Sequence, residues 1–217
     1  MRAAALKMTP PGLTVSASEA GRTITGGLSW QAGWRDCRKR LEARFERGQI
    51  RGMYKFDIDK HGAKATLYAD LSAALAALTA DEPDAVANMA NAAALIWEYV
   101  PDLNWAGFYR AVGQELVLGP FQGKTACIRI PFGKGVCGTA ADTRAPLCIA
   151  DVHEFPGHIA CDAYSASELV VPIVHEGHLI GVLDLDSPVR GRFDEEDVIG
   201  CSELMAVLGP RIVGPAT

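Results

Sequence analysis

The sequence contains no run of about 18 consecutive apolar residues, so it offers no candidate for a membrane-spanning helix. Its opening, MRAAALKMTPP, has no apolar stretch long enough for the core of a secretory signal. No Cys-x-x-Cys pair occurs, and the six cysteines are scattered through 217 residues instead of forming a dense framework. That scatter argues against a disulfide scaffold and for a reducing compartment, so a cytoplasmic setting is expected. Positive charge is also sparse over most of the chain. Residues 1–60 carry 12 Lys and Arg against 6 Asp and Glu, and a total charge of −5 leaves residues 61–217 at −11. An acidic body of this kind argues against nucleic acid as its partner.

What the chain does have is apolar content, 49% of residues, enough for the core of one domain. Residues 1–30 are small, polar and aperiodic, which is the composition of a disordered segment. From Gln31 to Arg47 a basic amphipathic helix is readable, with Trp34, Cys37, Leu41 and Phe45 on one side. Such a helix can lie on a membrane or a partner, or be a frayed extension, and Met53 offers an alternative start. We divide the chain into a poorly ordered basic extension, residues 1–62, and a folded domain, residues 63–217.

The domain opens with LYADLSAALAAL, whose apolar residues 67, 71, 74, 75 and 78 form a helical stripe. A second helix follows, capped by Asp81 or Asp84 and ended before Pro101. NWAGFYRAV and ELVLGPF read as strands about a tight connection at Val112-Gly113-Gln114. A mixed middle comes next: a short extended piece from Ile128 to Pro131, a short helix from Val136 to Asp142, a strand from Leu147 to Ala150, and a loop to about Ser167. ELVVPIVH and HLIGVLDLD form a hairpin turning at Glu176-Gly177. An acid-rich first turn after Asp194 starts the closing helix. The expected class is α+β: a mostly antiparallel sheet with helices on one face and the mixed middle on the other.

Three cysteines, 127, 137 and 161, sit in or beside loops punctuated by glycine, and four readings are open for them: metal site, staple, hydrolytic nucleophile or redox relay. Their spacings of 10 and 24, with His153 and His158 five apart in a loop, lack the tight pairs of zinc sites, so no metal is expected. A Cys-His-acid hydrolase would use Cys161 with His153 or His158 and Asp151 or Asp162. A relay fits the pattern better, since a thiolate that takes up oxygen becomes a sulfenic acid and condenses with a second thiol. Cys148 and Cys201 read as buried inert thiols. Acids are uncommon in strands, yet Glu168, Asp184 and Asp186 lie in the two strongest ones. Asp184 and Asp186 are two apart and share a face. They either meet solvent or a base such as Arg190 or Arg192, or line a pocket where crowding raises their pKa values. Trp105 and Tyr109, four apart, share a strand face, as core or as an apolar wall.

Taken together, WAGFY, LVLGPFQGK, CIRIPFGKGVCGTA, IxDVHxFPGHIACDA, SELVVPI, IGVLDLDS and GRFxxED resemble the free methionine-(R)-sulfoxide reductases, single GAF-domain enzymes. The resemblance spans residues 65–210 and leaves the extension without a counterpart. It implies a GAF fold with the ligand pocket under loops, opposite the helices. It implies Cys161 as the attacking thiol, Cys127 as its main resolving partner and Cys137 as a third thiol that substitutes or relays. It also implies Glu168, Asp184 and Asp186 as pocket acids, with Asp184 or Asp186 as proton donor, and Trp105 and Tyr109 as the aromatic wall. Backbone amides of Ile159, Ala160 and Cys161 would then hold the substrate carboxylate. The implied substrate is free methionine sulfoxide and the implied reductant is thioredoxin, with no metal or organic cofactor and a homodimeric assembly. A GAF module that senses a small ligand or redox state without turnover is the alternative.

Overall fold

The computed structural model describes residues 56–157 and 164–213. The expectations for residues 1–55 therefore lie outside the described residues. The described residues all fall within one compact unit. Helix α1 spans Lys64–Leu78 and α2 spans Ala85–Tyr99. Strands β1 (Trp105–Val112), β2 (Glu115–Gly123) and β3 (Arg129–Pro131) follow, then helix α3 (Gly135–Thr143) and strand β4 (Leu147–Ile149). A hairpin of β5 (Ser167–His175) and β6 (His178–Ser187) leads to helix α4, Glu195–Leu208. The sheet order is β3-β2-β1-β6-β5-β4, and every neighbouring pair is antiparallel.

Local chemistry explains where these elements start and turn. Asp84, of the two acids available, caps α2 by accepting a hydrogen bond from Ala87 N at 2.8 Å. Asp194 and Asp197 form a reciprocal capping box at the start of α4. The β5–β6 turn puts Glu176 at φ 49° and Gly177 at φ 77°, the left-handed pair that matches strand twist in a two-residue hairpin.

The two-residue period of the strands divides the sheet into two faces. Ala106, Phe108, Leu169, Val171, Ile173, Leu183 and Leu185 pack under α1, α2 and α4 to form the larger core. Phe56 and Ile58, ahead of the boundary expected at residue 63, pack against it as well. Trp105, Tyr109, Val170 and Val182 point the other way and pack with Val136, Cys137, Ala140 and Ala141 of α3. Three helices lie on one side, as expected; of the mixed middle, α3 lies on the other side, while β3 and β4 join the sheet as its edge strands.

The two thiols read as inert part company here. Cys201 on α4 is fully buried, and burial pushes its thiol up to about 12. Cys148 is exposed, contrary to the expectation of a buried thiol. The reason is its strand: β4 is a three-residue edge strand, and an edge leaves part of an apolar-looking segment uncovered. Its Sγ reaches Phe193 O at 3.4 Å.

A buried ionic knot joins the first helix to the last. Asp197, 1% exposed, accepts hydrogen bonds from Tyr68 Oη at 2.8 Å and Lys64 Nζ at 2.6 Å, with Arg192 Nη1 at 3.3 Å. Removing the acid leaves two cations and a hydroxyl facing one another without it. Asp197→Ala is therefore expected to cost about 3–5 kcal/mol in urea unfolding, while Ser202→Ala, at the next turn of α4, costs less than about 1 kcal/mol.

Candidate active site

The site is built on the sheet face turned away from the three large helices. Across β1, β6 and β5, Trp105 stands opposite Asp186, and Asp186 stands opposite Glu168. The next row reads Gly107, Asp184 and Val170. Directly paired residues share a side of the sheet, so two aromatic positions and three acids are delivered to one surface by strand register alone.

The aromatic half is a stack of three rings. Trp105 lies 5.8 Å from Tyr109 and 5.2 Å from Phe121, centroid to centroid, with interplanar angles of 23° and 12°. The indole N–H donates to Lys124 O at 3.0 Å, which satisfies the polar edge of a ring that is 3% exposed. Gly107 makes the stack possible. A Cβ at that position would lie 2.3 Å from Phe121 Cβ and 2.7 Å from the outer edge of the Trp105 ring.

The acidic half gains a fourth member, a thiol, from α3. Cys137 Sγ lies 3.7 Å from Glu168 Oε1, and one donor atom from each of Cys137, Glu168 and Asp184 falls within 4.8 Å of the other two. All three residues are buried, and Asp186 is half-buried. Burial pushes the Glu168 carboxyl well above the usual range, and the charges of Asp184 and Asp186 push it further. Burial raises Asp184 to about 7. Burial, then the charges of Asp184 and Glu168, raise the Cys137 thiol well above its ordinary value. A cluster in this condition holds protons at neutral pH. It can donate one, or exchange protons for a cation. A thiol held protonated is also a poor nucleophile, which separates Cys137 from the role of attacking group.

Cys127, half-buried, packs against the same apolar cluster as Cys137. Thus the structure brings together Trp105, Tyr109, Cys127, Cys137, Glu168, Asp184 and Asp186. His158, Ile159, Ala160, Cys161 and Asp162 lie outside the described residues. His153 is exposed, with Nδ1 2.8 Å from Asp151 Oδ1, and Asp151 also meets Arg190 at 2.7 Å. Among the described residues, Cys137, Glu168 and Asp184 are the group whose donors are close enough to surround a metal ion.

The family model described as "GAF domain" matches residues 79–210. Protein ZMO0507 of Zymomonas mobilis is 58% identical over 163 residues, 75% of this chain and 100% of that protein. Free methionine-R-sulfoxide reductase of Escherichia coli is 54% identical over 145 residues, 67% of this chain and 88% of that one. The chain belongs to the free methionine-(R)-sulfoxide reductase family. The solved structure of a member from Neisseria meningitidis, in complex with its substrate, matches with a TM-score of 0.70 at 43% identity, over 74% of this chain and 96% of that one.

Membership in the free methionine-(R)-sulfoxide reductase family agrees with the motif resemblance, but motifs did not expose every neighbour. Phe121 is absent from the residues singled out in the sequence. Its signal was its place across from Gly107 in the β1–β2 register, and a residue without a side chain on one strand marks room for a large one on the next. Lys124 Nζ lies 4.0 Å above the exposed Tyr164 ring, a contact between the segments that carry two of the family's cysteine motifs.

Proposed function

We infer that the chain reduces free L-methionine (R)-S-oxide to L-methionine. The observation that carries this reading is the facing pair Glu168 and Asp186, beside Asp184 and the Trp105 stack, in a chain of this family. The acids receive the substrate ammonium, and the rings of Trp105 and Tyr109 enclose its terminal methyl. Amides of Ile159, Ala160 and Cys161 hold the carboxylate. A residue inside a peptide has an uncharged amide in place of the ammonium and is refused.

Cys161 attacks the sulfoxide sulfur as thiolate. A protonated pocket acid, Asp184 or Asp186, donates to the departing oxygen. The direction of the Asp184 shift favours Asp184 for that task. The sulfoxide is thereby reduced to thioether, and Cys161 becomes a sulfenic acid. Cys127 condenses with it, forming a disulfide and releasing water, with Cys137 as substitute or relay. Thioredoxin, an external dithiol, exchanges with that disulfide and becomes oxidised in its place. This chemistry calls on no metal and no organic cofactor. We place the enzyme in the cytoplasm, from the scatter of its cysteines, and as a homodimer, from the family it belongs to. Among the described residues, no helix is long and apolar enough to cross a membrane.

The test is an assay coupling thioredoxin reduction to NADPH consumption, run on both epimers of free methionine sulfoxide and on an oxidised peptide. Turnover of the free R epimer alone is expected. Equal use of both epimers, or preference for the peptide, overturns the reading. Ligand binding without methionine release would point to a sensory GAF module, and activity without reductant to a thiol hydrolase. Within the same assay, Trp105→Ala is expected to lower kcat/KM by about 10- to 100-fold, because it removes the ring that both encloses the methyl and holds its two stacked neighbours.

A further inference from the structure

We propose that the reduced, substrate-free protein takes up a thiophilic divalent cation of the zinc class at Cys137, Glu168 and Asp184, and that this cation blocks the pocket. The three donors come from α3, β5 and β6 and have no ligand-like spacing in the sequence. The fold assembles them. In a tetrahedral zinc site, bond lengths of about 2.3 Å to sulfur and 2.0 Å to oxygen set a sulfur-to-oxygen separation of about 3.5 Å. Cys137 Sγ and Glu168 Oε1 stand 3.7 Å apart, and the Asp184 donor completes a triangle with no side above 4.8 Å. Closing it asks for side-chain adjustments of an ångström or so.

An independent observation also points to a ligand. Asp184 is 6% exposed, and its Oδ1 has no hydrogen-bond partner among the described residues. A buried carboxyl oxygen left without a partner is costly, and a cation that displaces the cluster's protons would give it one. The donor set selects the class of cation. A sulfur donor disfavours magnesium and calcium, whereas one sulfur and two carboxylate oxygens suit zinc and leave a fourth position for water. The same carboxylates serve the substrate ammonium in the function proposed above. Blocking therefore rests on that reading, whereas the metal site itself does not. Any oxidation that takes the Cys137 thiol into a disulfide removes a ligand, so uptake belongs to the reduced state.

The experiment uses the full reduced chain. Zinc affinity is measured by competition with a chromophoric chelator, and cadmium reports sulfur ligation through its ultraviolet charge-transfer absorption. One zinc per chain is expected, weakened about tenfold or more by Cys137→Ser and likewise by Asp184→Asn, an isosteric change that keeps the thiol. Cys148→Ser, at the exposed edge, is expected to leave zinc affinity within about twofold. Zinc binding equal to wild type in both site variants, or lost in Cys148→Ser alone, overturns the proposal. Adding free L-methionine, which carries the ammonium but cannot be reduced, should weaken zinc binding. A zinc site lost in both variants yet indifferent to methionine upholds the metal ligands and counts against the ammonium assignment. Full turnover of the sulfoxide with no zinc uptake overturns the metal site and leaves the enzymatic function standing.

Discussion

Asp184→Asn is expected to lower kcat/KM for free methionine (R)-S-oxide by about 10²- to 10³-fold while raising thermal stability at alkaline pH. The two effects have one cause. The wild-type carboxyl is raised from 3.8 to about 7 because burial disfavours its charged form. With the folded-state pKa above the unfolded one, the unfolded chain releases this proton first as pH rises. The favourable contribution of protonated Asp184 is intact below about 3.8 and is lost progressively up to about 7, beyond which the loss is complete. Asn mimics the protonated acid at every pH. The melting-temperature difference between variant and wild type should therefore be small near pH 4, grow through the acid range and level off above about 7. Melts at four or five pH values between those limits measure it. A difference that does not change with pH would contradict the assignment of Asp184 as a buried, proton-holding group.

The second large effect separates the cysteines. Cys161→Ser should form no methionine even when enzyme exceeds substrate, because the atom that accepts the sulfoxide oxygen is gone. Cys127→Ser should form up to one equivalent of methionine and then stall or slow, because reduction of the substrate precedes the condensation step. Rapid-quench measurement of methionine, with thioredoxin withheld, reads the difference. Slow continued turnover once thioredoxin is added would reflect Cys137 as substitute, and its raised thiol pKa is consistent with sluggish exchange. Loss of the first equivalent in Cys127→Ser as complete as in Cys161→Ser would overturn the order of events.

Much of the fold was legible because its signals are local. The stripe at Leu67, Leu71, Ala74 and Leu75 needs only the helical period. The Asp194 cap and the Glu176-Gly177 turn need only their own backbone chemistry. The shared face of Asp184 and Asp186 follows from strand alternation. What escaped depends on partners far away in sequence. That Glu168 faces Asp186 is a matter of β5–β6 register, which spacing does not number. That Cys137 joins the acids depends on where α3 comes to rest on the sheet. Phe121 was invisible because its importance lies in Gly107 on another strand. Cys148 misled for a related reason: an apolar neighbourhood in sequence does not tell an edge strand from a central one.

The knot around Asp197 bears on how the chain is made. Lys64 and Tyr68 meet their acid across 133 and 129 residues of sequence. Synthesis proceeds from the N-terminus, so α1 leaves the ribosome long before α4 exists, and until then α2 and the sheet can cover only part of its apolar stripe. The domain therefore closes only once its final helix emerges. A chain halted just before residue 194 keeps every strand and every pocket acid, but it should fail to fold and be open to chaperones or proteases. The last helix, which supplies none of the pocket residues, is in this sense the checkpoint for releasing a finished enzyme.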